Sequence, residues 1–293
     1  MDLLMSLGGL QGGRIFRVVP PYIDRSKPPG YSQLPQPTAA DWLAGWMTVK
    51  HMIFGPNLVW FIISMAMYRL FPYDLAPSSA AATGVLSFSF FRQRLPLWLA
   101  TNLAYYSFWH ASLYLLGWAE RPFISKRRYN WDKLAHNIVH TCSGVIIWVG
   151  FENVFAYLWA TGRLPYVSDV EATTTLSGLA RFFLGAVLMP PWRDLHFYFA
   201  HRLLHFKAVY TWVHSLHHRN TDTEPFSGLC MHAVEHLYYY TSILPALLFT
   251  SSPFLVLWTG VHLTITPAGS HSGQAHVASL SCRSYTPQVT RIM

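Results

Sequence analysis

Four stretches of the chain are apolar over a length that matters: residues 52–71, 95–118, 138–160 and 176–192. A helix needs about 20 apolar residues to cross a hydrocarbon layer, so this pattern predicts an all-α, polytopic membrane bundle of about four spans. A fifth apolar region, residues 237–266, is interrupted by Thr250, Ser251, Ser252 and Pro253. Each half is too short to span alone, which predicts a re-entrant helical hairpin. Between the second and third spans lie Lys126, Arg127, Arg128 and Lys133, while the other loops hold only Arg92, Arg94 and Arg163. The positive-inside bias then places residues 119–137 in the cytosol. Counting spans from there puts the N-terminus and everything after Arg193 on the same side. The expected organisation is an irregular cytosolic tail over residues 1–40, a transmembrane region over 41–179, a histidine-rich helical cap over 180–274 and an atypical tail over 275–293.

Composition supports lipid as the solvent. The 293 residues are 52% hydrophobic and only 12% charged, against roughly 25% charged in ordinary soluble domains. The net charge of +8 is scattered between apolar blocks and forms no phosphate-tracking stripe, which argues against nucleic acid. Three widely separated cysteines, Cys142, Cys230 and Cys282, make neither a disulfide framework nor a thiolate zinc site. Residues 1–40 lack the apolar core of a cleavable signal, so insertion is expected to rely on internal spans.

The chemistry lies in the histidines. There are fifteen, and eleven of them fall between His196 and His276. His201 and His205 stand four residues apart and share one helical face, so both can grip one ion. Asp194, seven residues before His201, is about two turns away on the same stripe, placed to accept the N–H of a ligating imidazole. His196 falls off that stripe. His214, His217 and His218 repeat the pattern over one turn, and His232 and His236 repeat it again, with Glu235 as a carboxylate beside them. Seven imidazoles within 36 residues exceed what one tetrahedral zinc uses, which predicts two metal ions. Imidazole alone leaves iron, zinc, copper and nickel open.

These residues resemble the signature of the fatty acid hydroxylase and sterol desaturase superfamily: an H-x-x-x-H box at His201 and His205, an H-x-x-H-H box at His214, His217 and His218, and an H-x-x-E-H element at His232 to His236. The later P-A-G-S-H-S-G, with His271, is similar to a further histidine box of that family. The resemblance implies a di-iron, O2-dependent oxidoreductase of the endoplasmic reticulum membrane, with electrons from NAD(P)H through cytochrome b5. It implies a lipid substrate, hydroxylated or desaturated; the H-x-x-E-H element favours the sterol branch over acyl or alkyl lipids. The implied ligands are His201, His205, His214, His217, His218, His232, His236 and His271, supported by Asp194 and Glu235. Ala233 stands where the family usually has proline. Beyond Gln274 the family continues to a final H-x-x-H-H box, whereas this chain reads A-H-V-A-S-L-S-C-R-S-Y. The expectation is a C-terminally truncated set of boxes, with a catalytically inactive metal-binding isoform as the competing reading.

Other residues invite plainer readings. His51, His110, His136 and His140 lie outside the boxes and are expected to be structural or interfacial, and His276 incidental. His262 sits in an apolar half-helix, equally suited to packing or ligation. Trp42, Trp46, Trp60, Trp98, Trp109 and Trp118 fit interfacial belts, and Tyr238, Tyr239 and Tyr240 a lipid entrance or an interfacial anchor. A metal transporter is disfavoured because the boxes flank the spans instead of lining them near the midplane.

Overall fold

The computed structural model describes residues 56–73, 75, 88–116 and 130–272. The expected tails, the basic run Lys126 to Arg128, and His51, His276, Cys282, Trp42, Trp46 and Trp118 lie outside them. Among the described residues the chain is helical, with one isolated bridge between Tyr166 and Ser251 and no strand. Six helices carry the architecture: α1 (Pro56–Leu70), α2 (Phe88–His110), α3 (Trp131–Ala160), α4 (Leu176–Leu204), α5 (Ala233–Tyr240) and α6 (Pro253–Ile265).

Each expected apolar stretch coincides with a helix, and the helix starts follow local chemistry. Asn130 caps α3 by accepting the Lys133 N–H at 3.1 Å, and Thr175 caps α4 by accepting from Gly178 at 3.0 Å. Each cap satisfies a backbone donor that has no partner inside the helix. Of the helices, α3 is long and apolar enough to cross a membrane, while Leu58–Leu70 is a shorter apolar helix. Helix α2 begins at Phe88, so Arg92 and Arg94 belong to a helix and not, as expected, to a loop. Helix α4 runs through Pro190 and Pro191.

The fifth region divides where its sequence breaks. Phe249 is extended, Ser251 accepts from the Val167 N–H at 3.0 Å, and α6 restarts at Pro253. All thirteen residues of α6 are buried. A helix apolar on every side belongs in a core, and α6 packs against α1, α3, α4 and α2. Around it, α4 exposes Leu176, Phe183, Leu184, Val187 and Leu188, a continuous apolar face.

The core also holds ions. Glu152 of α3 accepts from Arg94 Nε at 3.2 Å, Arg94 Nη2 at 2.6 Å, Trp98 Nε1 at 2.6 Å and the Tyr73 hydroxyl. Trp98 is fully buried against Trp148, which corrects its assignment to an interfacial belt. Tyr239 and Tyr240 are likewise buried, Tyr240 against Trp148, so neither forms a lipid entrance.

Candidate metal centre

Two segments bring four imidazoles together. The last turn of α4 presents His201 and His205, whose rings lie 4.7 Å apart. A short helical run follows from Lys207, passing through a π-helical turn at Tyr210–His214 into Ser215–His218. Single π turns are rare and recur at functional sites; this one delivers His214 and His218 onto the α4 pair. Ring centroids are 4.7 Å for His201 and His214, 4.9 Å for His205 and His214, and 5.0 Å for His205 and His218. One nitrogen from each of these four side chains lies within 4.8 Å of all the others.

The nitrogens face one another in pairs. Nε2 of His205 is 3.0 Å from Nε2 of His201, and Nε2 of His218 is 2.9 Å from Nε2 of His214. Two imidazoles bound to one ion at about 2.0–2.1 Å, at right angles, would stand about 3 Å apart. The donor set therefore fits a borderline transition metal. Burial pushes the His214 and His218 imidazoles down to about 4, so both are neutral at physiological pH and offer lone pairs.

A carboxylate orients the group. Glu235 of α5 meets His214 Nδ1 at 2.7 Å, with both side chains buried. Burial raises the Glu235 carboxyl to about 8. Without an ion the carboxylic acid donates to Nδ1; with an ion on Nε2 the proton belongs on Nδ1 and the carboxylate accepts it, the arrangement that fixes a ligating tautomer.

His217 and His271 form a flanking pair with rings 5.2 Å apart, and His217 stacks on His214 at 5.6 Å. Burial, and then the facing His271, push His217 down to about 2. Each ring is tethered through Nδ1, His217 to the Cys230 carbonyl at 3.3 Å and His271 to the Pro267 carbonyl at 3.2 Å. A backbone tether at Nδ1 is a common orientation for a ligating imidazole.

Other expected site residues are placed elsewhere. The hydrogen bonds described for Asp194 come from Arg193, whose Nε lies 3.0 Å away, and Arg193 also donates to Thr266 at 2.8 Å. His196 pairs with Thr241 at 3.0 Å and lies outside the four-imidazole group. His232 caps α5, its Nδ1 accepting the Val234 N–H at 3.2 Å. His236 packs on Tyr240 and against Gly144 of α3. The shared helical face of His232 and His236 thus turns towards α3 and away from the four imidazoles. His262 is fully buried between Trp60 and Trp258, in a packing position.

The segments that follow the second box and His271 are held by residues with no spacing signal. Tyr114 donates to the Ser272 carbonyl at 2.5 Å, Asn137 to Glu224 at 2.7 Å, and Lys133 to the Asp222 carbonyl. These partners lie 87 to 158 residues apart in sequence, so no local pattern announces them.

Comparison with known proteins agrees with this geometry. Residues 186–292 match the family described as fatty acid hydroxylase. A Delta(7)-sterol 5(6)-desaturase of Aspergillus fumigatus, erg3C, is 24% identical over 117 residues, covering 40% of this chain and 36% of that protein. The chain thus spans about a third of the length of this curated relative. No solved structure matches it. The matched segment contains both boxes whose imidazoles converge, and the two matches support a likeness to the fatty acid hydroxylase and sterol desaturase superfamily.

Proposed function

We propose that this protein is a membrane di-iron oxygenase that hydroxylates or desaturates a lipid C–H bond with molecular oxygen, acting on a sterol-type substrate. The observation that carries the reading is the convergence of His201, His205, His214 and His218, with one nitrogen from each inside a 4.8 Å span. An all-imidazole set without thiolates suits iron among other borderline metals, and bound iron would supply oxidation of an unactivated C–H bond, which no side chain can perform. The chain's own residues do the rest. The four imidazoles would hold one ion, and His217 and His271, tethered to backbone carbonyls, offer donors to a second. Glu235 holds His214 in the ligating tautomer. Phe197 and Tyr210 pack on His201 and His205 and help to fix the orientation of those rings. The exposed apolar face of α4 continues through Phe199 and Leu203 to the level of the first box, which suits a lipid approaching from within a bilayer.

On this reading the enzyme resides in the endoplasmic reticulum membrane with about four spans, its histidines on the cytosolic side, and takes electrons from NAD(P)H through cytochrome b5. The test joins metal analysis of the purified protein to lipid profiling of a deletion strain. Two irons per chain and accumulation of an unoxidised sterol, both reversed by wild type and not by H201A/H205A, are the expected results. Zinc as the native metal, or an unchanged lipid profile, would sink the proposal. The second reading, a hydroxylase of acyl or alkyl lipids, draws on the fatty acid hydroxylase description of the matched family. Accumulation of acyl or alkyl precursors in the same strain would select it.

A further inference from the structure

The exposed apolar face of α4 runs on past the length of a membrane span. Leu184, Leu188, Trp192, Leu195, Phe199 and Leu203 recur at steps of three or four residues and are all exposed, which puts them on one face. From exposed Leu176 at the helix start to Leu203, that face is about 40 Å long at 1.5 Å per residue. A bilayer's hydrocarbon core is about 30 Å thick, and its headgroup regions bring the total to about 40–45 Å. A tilt of about 20°, ordinary for a membrane helix, shortens the face only to about 38 Å. The last turns of α4, which carry the first histidine box, therefore reach the headgroup layer while still presenting apolar side chains.

The chain then turns without going under cover. Phe206, Val209 and Trp212 stand three residues apart in the run between the boxes, and all are exposed. Trp212, at 82%, is the most exposed tryptophan among the described residues. Arg202 and Lys207 are exposed beside them. The inner side of the same run meets the imidazoles: Tyr210 packs against His205 and His218 with ring centroids at 5.6 and 5.7 Å. A second exposed tryptophan, Trp131, opens α3 at this end of the bundle, where Lys133 donates to the Asp222 carbonyl just beyond the second box. An indole has an apolar body and one polar N–H, so it settles where hydrocarbon gives way to headgroups. Cations beside it suit lipid phosphates.

We propose that the connector from Phe206 to Trp212 lies in the headgroup layer of the leaflet that α4 enters, an interfacial element that seats the candidate metal centre at headgroup depth. Such a seat presupposes that α4 crosses a membrane, as the proposed function holds. The partner is a phospholipid surface, because the connector's apolar side chains continue the exposed face of α4 and are bordered by cations, the composition of an interfacial segment. His205 and His218 are the exposed members of the imidazole group, and through Tyr210 that open edge adjoins the connector. A lipid then presents a carbon close to its polar end without leaving the leaflet. This narrows the substrate class to lipids oxidised near the headgroup and away from the chain terminus.

The test uses the full chain, wild type and W212F, in nanodiscs of phosphatidylcholine brominated either near the headgroup or near the chain end. Trp212 is exposed, so W212F keeps the fold, and the difference in emission between the two proteins isolates this residue. That emission should be quenched several-fold more by the shallow bromines than by the deep ones, and little by aqueous iodide. Quenching by iodide alone would leave the connector in water and overturn the proposal. Stronger quenching by the deep bromines would also overturn it, placing the connector within the hydrocarbon. Quenching by none of the three would mean that protein covers Trp212, from a second copy or another segment of this chain, with the same result. The other tryptophans report separately on the membrane reading: if no brominated lipid quenches the emission of W212F, that reading itself is removed.

Discussion

Two polar clusters sit in this apolar bundle, and they are finished differently. Around Glu152 every partner is protein: Arg94, Trp98 and Tyr73 donate to its two oxygens, and the Arg94 guanidinium also reaches the Phe71 carbonyl at 2.7 Å. Around His214, beyond the Glu235 carboxyl at Nδ1, the neighbours are other imidazoles, with nitrogens paired at about hydrogen-bond length. Burying charge is tolerable only where it is paired and hydrogen-bonded, so the Glu152 cluster is complete as it stands. On the proposed function, the imidazole cluster completes itself by taking an ion. The difference teaches that an ionisable residue within an apolar helix marks a functional site only when its hydrogen-bonding capacity is left over.

The comparison can be broken most severely at Glu152. Glu152→Ala strands a buried guanidinium, and removing one partner of such a pair costs about 3–5 kcal/mol. Chemical unfolding in detergent should show that loss while the folded fraction still binds metal at the boxes. A fall in metal content with stability intact would reverse the roles assigned to the two clusters. His214→Ala should do the opposite: metal loading disappears, and the stripped protein loses only the about 1–3 kcal/mol of leaving Glu235 without its partner. Metal analysis beside unfolding curves separates the two variants.

Glu235→Gln keeps a hydrogen bond to His214 but gives up the charge that raises the basicity of the ring. Metal affinity should fall by about 10–100-fold, read by competition with a chromogenic chelator, and unchanged affinity would remove Glu235 from the centre. Acid should weaken the stripped protein through the same residues. His214, His217 and His218 have folded values depressed below the ordinary 6.5. The unfolded chain therefore binds more protons below pH 6.5, and the stability these rings contribute is lost as pH falls towards 4. Glu235, raised to about 8, acts in reverse, its contribution present at acid pH and lost as pH rises through 8. Melting curves from pH 4 to 8 should show the acid limb flattened in H214A/H218A. The smallest effect belongs to His196→Ala, which loses one hydrogen bond to Thr241, about 1 kcal/mol. Metal content should not change.

Much of this was legible because it is local. Helix positions followed from apolar runs, the break before α6 from Thr250 to Pro253, and the pairing of His201 with His205 and of His214 with His218 from helical spacing. What spacing cannot state is which neighbour a helical face meets. His232 and His236 satisfy the same i and i+4 rule as the first box, yet α5 turns them towards α3 because Glu235, one position away, points at His214. Arg94 reads as a loop cation and Trp98 as an interfacial anchor until α3 supplies Glu152, 58 residues further on. His217 and His271 meet only because the chain from α6 returns beside the second box.

The two prolines inside α4 have a mechanical consequence. Neither ring nitrogen carries a hydrogen, so the carbonyls of Ala186 and Val187 lack the donor four residues on that an α-helix supplies. Below that point the helix is a rod of apolar side chains, and above it the first histidine box. With two rungs absent from the ladder, the upper part can lean without breaking any further bond. The imidazoles of α4 can thereby adjust to those of the second box while the lower rod stays seated.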